Sequence, residues 1–188
     1  MHLWAERLPE LEFFASAHDV LHVGSGRSGY GTTLDISPSV GADIVADLSK
    51  RLPIPDDSYD AVYAFSILEH LTDLVFVMGE LHRIVRTGGF IAVLVPHFSS
   101  ASAFTDPTHV RGFSVNTFDY FIEGTKLFEE YGWYSSARFR KRERLLQLES
   151  KYLNRALGGL VNRRSESYER FWCFMLRGSG VYFELEVV

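Results

Sequence analysis

The apolar positions of the chain follow two periods. Short runs of apolar and β-branched residues end on a glycine, an acid or a proline: 19–23 (DVLHV) before Gly24, 32–36 (TTLDI) before Ser37-Pro38, 42–47 (ADIVAD), 59–65 (YDAVYAF) and 90–95 (FIAVLV) before Pro96. Each predicts a strand. Between the last two, from Asp73 to Arg86, Leu74, Val77, Met78, Leu81, Ile84 and Val85 recur at helical spacing, with His82, Arg83 and Arg86 opposite and Gly88-Gly89 as the stop. The unbroken run 90–95 suits a central parallel strand. Strands alternating with a helix predict an α/β protein with a doubly wound, mainly parallel sheet.

The flanks are less regular. Pro9 can open a short helix to about Ala17, with Leu11 and Phe14 on one side and Leu3, Trp4 and Leu8 before it. After Pro96 comes a polar, aromatic loop, PHFSSASAFTDPTHVRGF, then a predicted helix near 115–132, a strand at 134–144, a helix over about 148–161 and a strand at 181–188. No internal repeat or linker divides the chain, so one domain is expected over 1–188: a packing segment 1–18, a core 19–96 and a C-terminal part 97–188. Arg138, Arg140, Arg142 and Arg144 stand at period two and predict one solvated face of an edge strand. Trp4, Trp133 and Trp172 are expected in the core.

Composition narrows the class. A chain of 188 residues with 46% hydrophobic and 14% aromatic content can bury a core without disulfides, and Cys173 has no partner cysteine. No apolar run reaches the ~18 residues of a membrane span, and MHLWAERLPE lacks the pattern of a signal peptide. A cytoplasmic protein without membrane contact is expected. A net charge of −5 disfavours nucleic acid as a partner.

In an open α/β sheet the ligand crevice lies beyond the carboxyl ends of the strands, where Gly24, Gly26, Asp35, Asp47 and Ser66 converge. Glycines let the backbone approach a ligand, Asp35 can accept two ribose hydroxyls, and Asp47 can accept an adenine amine. The set describes an adenosine-shaped site. The run GSG, LDISP, DIVADLSKRLPIPDDSYDAVYAFSILEHL and ELHRIVRTGGFIAVLVP resembles the class I S-adenosylmethionine-dependent methyltransferases over about residues 19–122. That resemblance implies a Rossmann-like sheet whose last strand runs antiparallel. It places Gly24, Ser25 and Gly26 around the methionine portion of S-adenosylmethionine, Asp35 and Ile36 at the ribose, and Asp47 with the backbone of Leu48 at the adenine. Ser66, Glu69 and His70 would lie along the cofactor.

Two features depart from the family. His22 stands where an acid usually contacts the methionine amine. Residues 24–31 are also too few for the usual crossover helix, so the first crossover is expected to lack it, leaving a sheet face for segment 3–17 or a second subunit to cover; a homodimer is one such arrangement. GSGRSG satisfies G-x-G-x-x-G as well, but a dinucleotide fold places its ribose acid about 20 residues further on, whereas Asp35 follows Gly26 by nine.

Methyl transfer needs an acceptor lone pair aligned with the methyl and, for a hydroxyl, a base. His97, Asp106 and His109 are the candidates, with Arg111 for an acidic acceptor; alternatively Asp106-Pro107 makes a turn and the histidines only brace the loop. Two histidines and a carboxylate can also hold a metal, but none is expected on such loose spacing. The acceptor implied by resemblance is a small molecule or glycan precursor, methylated on O or N. The alternatives are a non-catalytic S-adenosylmethionine-binding scaffold and, less favoured, a nicotinamide-dependent oxidoreductase.

Overall fold

The computed structural model describes residues 19–27 and 29–188. The expected helix at 9–17, the packing segment, and Trp4 lie outside them. The elements are β1 (Val20–Val23), β2 (Thr32–Asp35), β3 (Ile44–Val45), β4 (Tyr59–Phe65), α1 (Leu74–Ile84), β5 (Val85–Pro96), α2 (Ser102–Thr105), α3 (Lys126–Tyr131), β6 (Phe139–Leu148), α4 (Lys151–Arg163), α5 (Ser165–Phe171) and β7 (Gly178–Val187). They build one seven-stranded sheet in the order β3-β2-β1-β4-β5-β7-β6. β1 to β5 are parallel; β7 runs antiparallel to β5, and β6 antiparallel to β7. The strand order reverses between β1 and β4, so a crevice opens beyond their carboxyl ends.

Alternation along β5 divides the core. Ile91, Val93 and Val95 join the larger cluster with Leu21, Val23, Leu34, Val62, Ala64, Phe183 and the apolar stripe of α1. Phe90, Ala92 and Leu94 face the other way, with Ala61, Tyr63 and Tyr182. Among the described residues no helix contributes to this second cluster. The short crossover accounts for part of that. β1 and β2 pair in parallel, Leu21 opposite Thr32, with no helix among the described residues between them. Gly31, at φ +66°, makes the return possible, since a Cβ there would stand 2.5 Å from the carbonyl oxygen of Val20.

α1 is set by its ends and its stripe. Asp73 caps it by accepting from Phe76 N, and Leu74, Val77, Met78, Leu81 and Ile84 are buried. The helix stops at Ile84, before the expected Gly88-Gly89, because 85–89 already belong to β5, Val85 pairing with Tyr59. Arg83 binds Glu80, Asp56 and the carbonyl of Ile54, fastening the helix to the segment before β4.

Several C-terminal expectations are corrected. The helix near 115–132 is broken: a 3-10 turn spans Thr117–Tyr120, and α3 begins only at Lys126, after Gly124 at φ +78° and the Thr125 cap. The strand placed at 134–144 is β6 at Phe139–Leu148, following a 3-10 turn at Gly132–Tyr134. The third strand shrinks to two residues. α5 is an element the periodicity missed. The arginine stripe does not hold one face, because the register slips between Lys141 and Glu143. Arg140 and Arg142 reach Glu186, whereas Arg144, opposite the core residue Phe183, pairs with Asp119 and Asn116. β6 is nonetheless an edge strand, as expected, its end held by Asn162, which accepts from Leu146 N and donates to Leu146 O. Trp133 and Trp172 are not core residues: they are 76% and 53% exposed, each on a short turn at the end of a helix. No helix among the described residues is long and apolar enough to cross a membrane.

Candidate functional site

The glycine loop leaves β1 through Gly24 at φ +64° and Gly26 at φ +58°. A Cβ at Gly24 would lie 2.5 Å from Cγ1 of Ile67, so the loop packs on the turn after β4 and only glycine fits. A Cβ at Gly26 would meet nothing within 4 Å. The amides of Gly24 and Ser25 donate to Leu34 O, and Gly26 N donates to Asp35 Oδ2 at 2.9 Å. Asp35 Oδ1 accepts from Ser37 N at 2.9 Å. The carboxylate thus orders the loops after β1 and β2 and retains lone pairs for a ligand. Ile36 beside it is 66% exposed, an apolar surface at the same crevice.

Asp47 is more heavily engaged than its sequence position suggests. Oδ1 accepts from the amide and hydroxyl of Ser49, and Oδ2 pairs with Lys50. The Ser49 hydroxyl and amide, then Lys50, hold its carboxyl down at about 2. Leu48 is buried in the core. Across the crevice Ser66 ends β4 in the left-handed region, φ 53°, its amide bound to Leu94 O. Backbone of this kind in a non-glycine residue is a mark of functional turns. His22 is buried on the second sheet face, stacked with Tyr30 at 6.0 Å and edged by Tyr63 and Phe65, and burial lowers its pKa. It is a neutral aromatic packing residue that accepts from Tyr30 N.

Beyond β5 the expected trio separates. His97 is fully buried; Nε2 bonds Glu169 Oε1 at 3.0 Å, and Nδ1 takes the Ser99 hydroxyl at 2.7 Å. Glu169 also accepts from Ser114 Oγ and Val115 N. With both ring nitrogens taken, His97 has none left for a substrate proton, so the reading of His97 as base gives way to one in which it braces the loop. His109 and Asp106 instead meet the turn after β4. Asp106 Oδ1 accepts from the amide and hydroxyl of Thr108, and the Thr108 oxygen in turn meets His70 Nδ1 at 2.8 Å. His109 Nδ1 bonds Ala103 O, and its ring lies 4.7 Å from that of His70. Arg111 donates to Thr72 O, its Nε buried without a partner.

Glu69, which the resemblance placed along the cofactor without a role of its own, is the residue this neighbourhood turns on. It is 1% exposed, Oε1 lies 4.0 Å from His109 Nε2, and Oε2 has no hydrogen-bond partner. Burial, against the weaker pull of its own backbone amide and His109, pushes its carboxyl up to about 7. The EH doublet at the end of β4 was the available signal. Glu169, 72 residues from His97, had none.

A parallel sheet with this reversal and glycine loop, closed by an antiparallel strand, is the architecture of the class I S-adenosylmethionine-dependent methyltransferases. Residues 27–93 match the family model described as a methyltransferase domain. Proteins named "Probable S-adenosylmethionine-dependent methyltransferase" from Mycolicibacterium smegmatis and Mycobacterium tuberculosis are similar, at 28% identity over 130 residues and 31% over 120. Each alignment covers 51% of this chain and 46% or 43% of the relative, so the chain spans less than half the length of these curated relatives. Among solved structures, an S-adenosylmethionine-dependent methyltransferase from Archaeoglobus fulgidus superposes with TM-score 0.59 at 18% identity, over 95% of this chain and 89% of that one. The 4+2 cyclase SpnF shares the fold at TM-score 0.52 and 14% identity, over 89% and 74%. The chain thus shares the fold of these methyltransferases, and its residues 27–93 carry the match to the methyltransferase domain.

Proposed function

We propose that this chain transfers a methyl group from S-adenosylmethionine to an oxygen or nitrogen of a small molecule or glycan precursor. The observation that carries the reading is the Gly26 amide held on Asp35 at the mouth of the β1–β4 crevice, with Gly26 open to solvent and Ile36 exposed beside it. These residues fit an adenosyl ligand: the remaining lone pairs of Asp35 take ribose hydroxyls, Ile36 lies against an apolar face, and the loop 24–26 receives the methionine end. Asp47 is assigned to the adenine amine, through whatever acceptor capacity Ser49 and Lys50 leave it, with the Leu48 backbone. Ser66 and His70 line the same crevice.

The cofactor, when bound, supplies an electrophilic methyl on a sulfonium. The chain's own task is then to align an acceptor lone pair and receive a proton. His109 is the assigned base, because Ala103 O holds Nδ1–H and leaves the Nε2 lone pair free. Asp106 positions His70 through Thr108, and Arg111 offers an anchor for an acidic acceptor. A second reading, a scaffold that binds the cofactor without turning it over, is favoured by one observation: neutral His22 in place of the usual acid.

Isothermal titration with S-adenosylmethionine and S-adenosylhomocysteine, with NADH as control, tests the cofactor step. Binding of the sulfur ligands without NADH supports it, and no binding of either overturns both readings. Methyl transfer in an acceptor screen then separates enzyme from scaffold.

A further inference from the structure

We infer that Glu69, His70 and His109 form a binding site for a divalent transition-metal ion such as Zn2+. One potential ligand atom from each lies within 4.8 Å of the others. Two histidines and a carboxylate are a sufficient donor set for such an ion and leave positions open for an exchangeable ligand.

Two independent features support the site. First, Glu69 Oε2 is buried on a residue 1% exposed and has no partner. A buried carboxylate oxygen without a donor is costly, and an ion would supply what the protein does not. Second, both rings are held with the same nitrogen free. Ala103 O can only accept, so His109 Nδ1 donates to it. The Thr108 hydroxyl gives its proton to the carboxylate of Asp106, so its oxygen accepts from His70 Nδ1. Nε2 therefore carries the lone pair on both rings, and each opposite nitrogen is anchored on an oxygen, as metal-binding histidines are. The His109 Nε2 already faces Glu69 Oε1 at 4.0 Å.

The site lies where β4 ends and the loop after β5 folds back, Val110 N bonding Glu69 O. On the methyl-transfer reading, the ion would take the Nε2 lone pair of His109 and so replace that histidine as base: an acceptor oxygen entering an open position would be oriented there and would lose its proton to water. Only this last consequence rests on that reading.

The test uses metal-free, cofactor-free protein titrated with Zn2+ by calorimetry and with Co2+ by visible absorption. The expected result is one equivalent bound, with a ligand-field spectrum, lost in Glu69→Gln and in His109→Ala. Thr108→Val, which removes an anchor but no ligand, should weaken binding by about 10- to 100-fold while circular dichroism stays unchanged. Absence of binding in the unaltered protein, or stoichiometric binding retained in both ligand variants, overturns the site. Titration of the same metal-free protein with S-adenosylhomocysteine reports on the cofactor reading separately, so either can fail without the other.

Discussion

The loop after β1 and the loop after β5 both reach the carboxyl edge of the sheet, but they are held by different means. The first is short and made of backbone: amides of Gly24, Ser25 and Gly26 bind Leu34 O and Asp35, within eleven residues of one another. The second hangs on side chains from distant elements, His97 and Ser114 on Glu169 of α5, Ala101 N on Glu149 at the end of β6. A loop built of local backbone can be disabled by one added methyl. A loop built of distant side chains fails when one anchor is lost.

Glu169→Ala tests the second half of that contrast and carries the largest expected effect. It strips the acceptor from His97 Nε2, Ser114 Oγ and Val115 N together, and orphaned buried donors cost about 1–3 kcal/mol each. A net loss of about 3–5 kcal/mol is expected in urea unfolding, and the reach of the damage should be the loop after β5 rather than the glycine loop. Gly24→Ala tests the first half. Left-handed backbone costs a non-glycine residue about 1–2 kcal/mol, and the new Cβ meets Ile67 Cγ1 at 2.5 Å. With overpacking the expected loss is about 2–4 kcal/mol, accompanied by loss of S-adenosylhomocysteine binding. Adding Ile67→Ala should recover the packing part and not the backbone part; full recovery would mean that the positive φ is unimportant. Asp35→Ala comes third: hydrogen bonds to a carboxylate contribute about 1.5–3 kcal/mol each, so affinity for the same ligand should fall at least about tenfold in a calorimetric titration. Unchanged affinity would remove Asp35 from the ribose site.

This contrast explains what could be read from the chain. The strands that pair locally were legible because period and stop signals coincide: DVLHV ends at Gly24, and FIAVLV at Pro96. That no helix stands among the described residues between β1 and β2 followed from counting residues 24–31. After residue 97 the determinants are long-range. α5 exists to present Tyr168 and Glu169 inward, with Phe171 and Trp172 exposed, a pattern that reads from sequence as apolar core. The bulge at Lys141/Glu143 turns Arg144 to the other face from Arg140, and no spacing rule announces an extra residue. At the candidate site the glycine loop and the acid after β2 were legible as features of the sheet's carboxyl edge, whereas the bond from His97 to Glu169 was not, because that partner lies in another element. Glu69 was visible as half of an EH doublet, but its burial was not.

The smallest expected effect separates the two loops by pH. Glu169 is pulled two ways: burial would raise its carboxyl, but bonds from His97, Ser114 and Val115 N outweigh that and hold it below the ordinary 4.5. Its contribution is complete above 4.5 and is lost as pH falls through the lower folded value. His22 is lowered from 6.5 by burial, so the unfolded chain takes up a proton first and stability falls as pH drops below 6.5 toward the folded value. Burial lowers His82 as well, so it shares this upper step. Urea midpoints measured from about pH 8 to about pH 3 should therefore carry two falling contributions, set against a rise between about 7 and 4.5 as Glu69, pushed up to about 7, takes its proton in the folded state. His22→Phe, which keeps the aromatic stack with Tyr30, should shrink the upper stage and leave the lower one. Glu169→Gln should shrink the lower stage, which Asp47 and Glu80 share, and leave the upper. If either substitution altered both stages equally, the two loops would be one cooperative unit, and the division between a backbone-built and a side-chain-built edge would not describe the protein.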